Sequence, residues 1–230
     1  MTERQPQRPA PGRRYSQAVG LAFLVIVGIA AVNMVNTRHS GVLGLRDETH
    51  ELPLAQFAVP EVRGSVVGDA NVAQDDCETA ANPCPAADRR KPACRVRGPG
   101  IVNVCDYFDR PLVLSFWFTR GASCQRAQDV VDRVAGRYRG RVNFLSVDIR
   151  DSRQTVRRIV GERGWKMPVG IDRDGAVSDL YRIGGCPTTA FAYPGGILMG
   201  ASIGRLDDAG LAARVEQLRA ASARRAEASR

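Results

Sequence analysis

The chain reads as an α/β protein, a mixed β-sheet flanked by helices and preceded by a single N-terminal transmembrane helix. Three observations predict this. From residue 101 onward, apolar runs of strand length alternate with segments whose apolar residues recur at helical spacing. A Pro194-Gly195-Gly196 turn joins two late strand-like runs, which puts an antiparallel pair into the sheet. Ahead of all this, residues 18–35 read AVGLAFLVIVGIAAVNMV, and no charge falls between Arg14 and Arg38.

Taken in order, residues 1–16 form a basic tail with Arg4, Arg8, Arg13 and Arg14 against Glu3. The apolar run, placed at 17–35, is long enough at ~1.5 Å per residue to cross a hydrocarbon core of about 30 Å. It exceeds the apolar part of a cleaved signal, and Asn33-Met34-Val35-Asn36 supplies no small-x-small cleavage site, so an uncleaved anchor is expected. The arginines before it keep the N-terminus cytoplasmic and put the rest beyond the cytoplasmic membrane. Residues 36–52 are a polar linker, and a folded domain occupies 53–219. Leu54–Val59 opens it as a strand. Residues 60–100, rich in Pro, Gly, Asp and Ala and without period, form an inserted loop tied down by cysteines.

The regular part begins with Ile101–Val104 as an edge strand and Leu112–Phe118 (LVLSFWF) as a buried one. Gln125–Tyr138 is a helix with Ala127, Val130, Val131, Val134 and Ala135 on its inner face. Val142–Val147 is a second buried strand, and Ser152 caps a helix reaching Arg163. A strand at Val169–Ile171, a helix around Val177–Tyr181, strands at Thr189–Tyr193 and Ile197–Ile203, and an amphipathic helix over Leu206–Arg219 complete the domain. Residues 220–230, an Ala/Arg/Ser stretch, are expected to be a disordered tail.

Composition excludes several functions. The net charge is +9, but the two ends hold most of it, and no basic stripe with interleaved aromatics suggests nucleic-acid binding. The only histidines, His39 and His50, lie outside the folded domain, which removes Ser-His-Asp catalysis and His-ligated metals. Six cysteines fit an oxidising compartment. Cys77, Cys84, Cys94 and Cys105 are spaced C-x6-C, C-x9-C and C-x10-C, without the tight knuckle of a zinc site, so structural disulfides are expected and no metal or cofactor. Four cysteines allow three connectivities. Sequential pairing, Cys77–Cys84 and Cys94–Cys105, closes the shortest loops and is the expected one.

Several stretches between about 101 and 219 carry a resemblance: NVCDYFDRPLVLSFW at 103–117, the 142–148 strand, and WKMPVGIDRDGAVSDLYRIGGCPTTAFAYPGG at 165–196. The strongest is Tyr181-Arg182-Ile183-Gly184-Gly185-Cys186-Pro187-Thr188-Thr189-Ala190-Phe191, similar to a Y-G-V-x-G-x-P-T-T-F segment. In these the chain resembles the thioredoxin fold, specifically the membrane-tethered, extracytoplasmic TlpA/ResA-like (AhpC/TSA-related) thiol–disulfide oxidoreductases. The resemblance implies a cis bond before Pro187. It also implies a W-C-x-x-C at the first helix, and here the sequence departs. Arg120-Gly121-Ala122-Ser123-Cys124 puts glycine at the attacking position and leaves only Cys124 at the resolving one.

Cys186, directly before Pro187, would line the groove beside that site, by the resemblance. The leading expectation is therefore an atypical oxidoreductase in which Cys124 attacks a substrate disulfide and Cys186 resolves the mixed disulfide. Its partners would be protein thiols or disulfides, with a membrane electron donor. Pro187 and Thr188 would hold substrate backbone, with Trp117, Thr119 and Arg120 alongside, although Trp117 reads equally as core. A peroxiredoxin-like peroxidase with Cys124 as sole peroxidatic cysteine is the second reading, weakened because Thr119 lies five residues before Cys124 where that superfamily has three. A non-catalytic binding module, favoured by Gly121, is the third.

Overall fold

The computed structural model describes Gly20 and residues 23–29, 52–66, 78–79, 82–83, 92–120 and 122–228. These fall in two units, residues 1–42 and 43–230. In the first, the described residues are helical, with Phe23, Leu24, Val25, Ile26, Val27 and Ile29 exposed. Among the described residues no helix is long and apolar enough to cross a membrane. The rest of the expected anchor at 17–35, the tail at 1–16 and the linker up to residue 51 lie outside them.

The second unit is built on a five-stranded sheet. Its strands are β5 (Leu112–Trp117), β6 (Asn143–Ile149), β7 (Val169–Asp172), β8 (Thr188–Tyr193) and β9 (Ile197–Ile203). The spatial order is β7-β6-β5-β8-β9, so β5 is central. It runs parallel to β6 and antiparallel to β8; β6 and β7 are parallel, and β8 and β9 antiparallel. The parallel pairs need helical crossovers, which α1 (Ala122–Arg137) and α2 (Arg153–Arg163) provide. α3 (Ala176–Leu180) follows β7, and α4 (Asp208–Ala228) closes the chain. Two short pairs stand apart, β1 (Ala58–Pro60) with β4 (Ile101–Asn103) and β2 (Glu78–Thr79) with β3 (Asn82–Pro83).

Every residue of β5 is buried because both faces of the sheet are covered. Val113 and Trp117 face a core made with Val131 and Val134 of α1, Val156 and Ile159 of α2, and Leu211, Val215 and Leu218 of α4. Leu112, Leu114 and Phe116 face the opposite core with Phe57, Val59, Val102, Val177 and Tyr181. The β1–β4 ribbon reaches that second face through a close approach: a Cβ on Gly170 of β7 would run into Val59. Between β5 and β6, Gln128 Nε2 donates to Ser115 Oγ (2.6 Å) and Ser146 Oγ donates to Gln128 Oε1 (3.2 Å), so three buried polar side chains satisfy one another.

Most expected elements appear within a few residues. Ser152 Oγ accepts from Thr155 N at the start of α2, and Gly164 in the left-handed region (φ 65°) ends it. Two expectations need correction. α1 begins at Ala122 rather than Gln125, because Ala122, Ser123 and Cys124 carry no apolar period to mark a helix. The 220–230 stretch is not a disordered tail as far as Ala228: α4 continues through it, built from strong helix formers, with Arg225 lying 5.0 Å from the Tyr193 ring centre.

Candidate functional site

Antiparallel pairing of β5 with β8 sets Phe116 opposite Thr188. The end of β5, which leads into α1, therefore lies at the same sheet end as the start of β8. Cys124 is the third residue of α1, and Cys186 stands two residues before β8. Their Cα atoms are 5.7 Å apart and their sulfurs are bonded, within the range a disulfide spans. The Cys186–Pro187 peptide is cis. Gly121 lies outside the described residues. Cys124 is only 3% exposed. Cys186 is half-buried and packs against the core shared with α1 and α4.

A polar chain holds the segment that carries Cys124. Thr119 N donates to Asp151 Oδ2 at 2.6 Å, and Thr119 O accepts from Gln125 Nε2 at 3.2 Å. Gln125 Oε1 accepts from Arg163, which also pairs with Asp129 at 2.6 Å, and Asp129 accepts from Trp165 Nε1 at 2.8 Å. Arg120 is exposed beside the Phe118 ring, 6.0 Å from its centre.

The residues expected to contact substrate fare unevenly. Thr119 is half-buried and Arg120 exposed, so both border solvent. Thr188 is buried, paired in register with Phe116 of β5 and Ile203 of β9, with its hydroxyl donated to Gly185 O (2.9 Å). Pro187 is buried, and its carbonyl accepts from Gly204 N (2.9 Å). Trp117 is fully buried, edge-on to Trp165 with ring centres 5.1 Å apart, which is a packing role. Sequence reasoning missed Ile203, a 55% exposed apolar side chain paired with Thr188 in register and close to Gly185. Its position just before Gly204 at the end of a strand was the available signal.

Beneath Trp117, and paired with it in register, sits Asp148. It is fully buried, and neither carboxyl oxygen has a well-formed hydrogen bond; nor does Trp117 Nε1. Burial first, then the charge of nearby Asp151, pushes the Asp148 pKa up to about 9. Asp172 is also raised, to about 6, by burial. The amides of Val177 and Ser178 partly offset that by donating to its carboxylate at the start of α3.

Of the other four cysteines, Cys77 and Cys84 lie outside the described residues. Cys94 and Cys105 are bonded, with Cα atoms 5.5 Å apart. Asn103 braces that bridge, donating to Ala93 O and Val96 O and accepting from Cys105 N. No cluster among the described residues has the donors to hold a metal ion. A cleft of about 530 Å³ bordered by Tyr107, Arg110, Arg139 and Lys166 lies at the opposite end of the strands and contains neither Cys124 nor Cys186.

With this geometry in hand, solved structures give a direct comparison. The Corynebacterium diphtheriae DsbF homologue superposes with a TM-score of 0.54 at 15% identity, over 75% of this chain and 90% of that one. A putative thiol:disulfide interchange protein DsbE from Chlorobium tepidum gives 0.53 at 15% identity, over 75% and 96%. This chain has the thioredoxin fold. No family model matches the sequence. Among curated proteins, the thiol-disulfide oxidoreductase ResA of Oceanobacillus iheyensis is 30% identical over 96 residues, 41% of this chain and 50% of that protein. ResA of Halalkalibacterium halodurans is 32% identical over 77 residues, 33% and 44% respectively. The chain thus spans about half the length of the curated relatives it matches.

Proposed function

We propose that this protein is a thiol–disulfide oxidoreductase of the thioredoxin fold whose exchangeable disulfide is Cys124–Cys186 in place of a C-x-x-C pair. The observation that carries the reading is the bond between these two sulfurs, one in the first turn of α1 and the other against a cis-proline. Similarity to proteins named ResA supports the reaction class. In the oxidised state the pair accepts two electrons from a protein dithiol: the substrate leaves as a disulfide and Cys124 and Cys186 as thiols. The protein acts outside the cytoplasmic membrane, held by the apolar segment at 17–35, and a membrane electron donor restores the dithiol when it works as a reductant.

A peroxidatic role for Cys124 fits less well. Its sulfur is buried and already bonded, and Arg120 leans on Phe118 rather than on the thiol. The deciding experiment is disulfide mapping by mass spectrometry across a dithiothreitol series. Cys124–Cys186 is expected to open at a lower reductant concentration than Cys94–Cys105. Reduction of all bridges together, only on unfolding, would favour the binding-module reading.

A further inference from the structure

The two sulfurs of the proposed exchangeable pair are not equivalent, and the difference assigns their roles. Cys124 is 3% exposed, enclosed by the helix it belongs to and the tethered 118–120 segment. Cys186 is half-buried and rides on a loop whose neighbours Arg182 and Gly184 are exposed. Beside that loop stands Ile203, 55% exposed and close to Gly185, an apolar surface open to an incoming chain. The attacking position suggested by the family resemblance holds Gly121, and among the described residues the other two cysteines, Cys94 and Cys105, are bonded to each other.

We infer that Cys186 is the sulfur that exchanges with substrate and Cys124 the sulfur that resolves, the reverse of the order expected from sequence. The inference rests on the oxidoreductase reading. Thiol–disulfide exchange needs an in-line approach to one sulfur while the other departs, so access selects the target and leaving-group stability helps the rate. A substrate thiolate attacks Cys186 Sγ; the Cys124–Cys186 bond breaks, and its electron pair leaves on Cys124. That negative charge forms in the first turn of a sixteen-residue helix, where free amides and the helix dipole favour it. A second substrate thiolate then attacks the substrate sulfur of the mixed disulfide and expels Cys186 as thiolate. The substrate is oxidised by two electrons and the protein reduced by two. In the opposite direction, the Cys186 thiolate attacks a substrate disulfide. That attack expels one substrate thiolate; the Cys124 thiolate, with its Cα 5.7 Å away, then attacks Cys186 Sγ, closing the intramolecular bond and expelling the second substrate thiolate.

The test uses the full chain and the disulfide 5,5′-dithiobis(2-nitrobenzoate) as probe, with the labelled peptide identified by mass spectrometry. Cys124→Ser, which leaves Cys186, is expected to form a mixed disulfide on the order of tenfold faster than Cys186→Ser. As a check free of mutations, the mildly reduced wild type is pulsed with substoichiometric iodoacetamide, and Cys186 is expected to be alkylated first. Faster labelling of Cys124 in both formats, with a wild-type bridge that still opens under mild reductant, overturns the assigned order and leaves the oxidoreductase reading standing. A wild-type bridge that resists mild reductant, with neither thiol labelled in either variant, overturns both.

Discussion

Replacing Asp148 with asparagine is expected to stabilise the domain at neutral pH. Asp148 is fully buried, without a well-formed hydrogen bond, and faces Asp151 and Asp172. In the unfolded chain its carboxyl ionises near 3.8, whereas in the fold burial and Asp151 hold the proton until about 9. Between those values the folded state binds more protons than the unfolded one. Stability therefore falls as pH rises through that window, because unfolding gains the free energy of ionisation. With about 1.4 kcal/mol per pH unit, the span from 3.8 to 7 costs about 4 kcal/mol. Asparagine keeps the shape and cannot ionise, so the variant escapes this cost. Urea unfolding of both proteins at pH 4 and pH 7 measures it. The two should be nearly equal at pH 4, and the variant more stable by about 4 kcal/mol at pH 7. An equal difference at both pH values would refute the raised pKa. A variant less stable at pH 7 would show instead that the folded state uses the carboxylate as a charged acceptor.

Three further outcomes follow from named contacts. Removing the Cys94–Cys105 bridge with Cys105→Ser should cost about 3 kcal/mol by thermal unfolding, because it frees a short loop in the denatured chain, while reduction of Cys124–Cys186 stays unchanged. Gln128→Ala strands the hydroxyls of Ser115 and Ser146 between β5 and β6 and leaves a cavity, and denaturant titration should show a loss of about 3 kcal/mol. Tyr181→Phe deletes the 2.6 Å bond from the buried hydroxyl to Ala55 O and should cost about 1 kcal/mol, with faster amide exchange over 54–59 as its local signature.

Much of the fold was legible because its signals are local. The run LVLSFWF is apolar on both faces because β5 is covered on both, and Ser152 announced α2 through a cap that its own side chain makes. Pro194-Gly195-Gly196 marked the β8–β9 turn, where Gly195 and Gly196 take positive φ of 85° and 75°. The site was legible in part: Cys124 and Cys186 stood out by residue type and neighbours. The burial of Thr188 was not legible, because it depends on the segments that cover its sheet face and not on its neighbours in sequence. Asp148 was passed over altogether. In sequence it is an ordinary acidic residue near a strand end, and its burial is set by a place in the sheet between Trp117 of β5 and Ile171 of β7.

The amino-acid sequence by itself determined the order of strands and helices, the glycine at 121, and the presence of a cysteine before Pro187. These depend on residue identity and on patterns a few residues long. The tertiary structure decided that Cys124 and Cys186, 62 residues apart, are joined, and that Cys124 is buried while Cys186 is only half-buried. Proximity came from the antiparallel register of β5 with β8, and access from what packs over each sulfur. Both are properties of distant segments meeting, which no local pattern encodes.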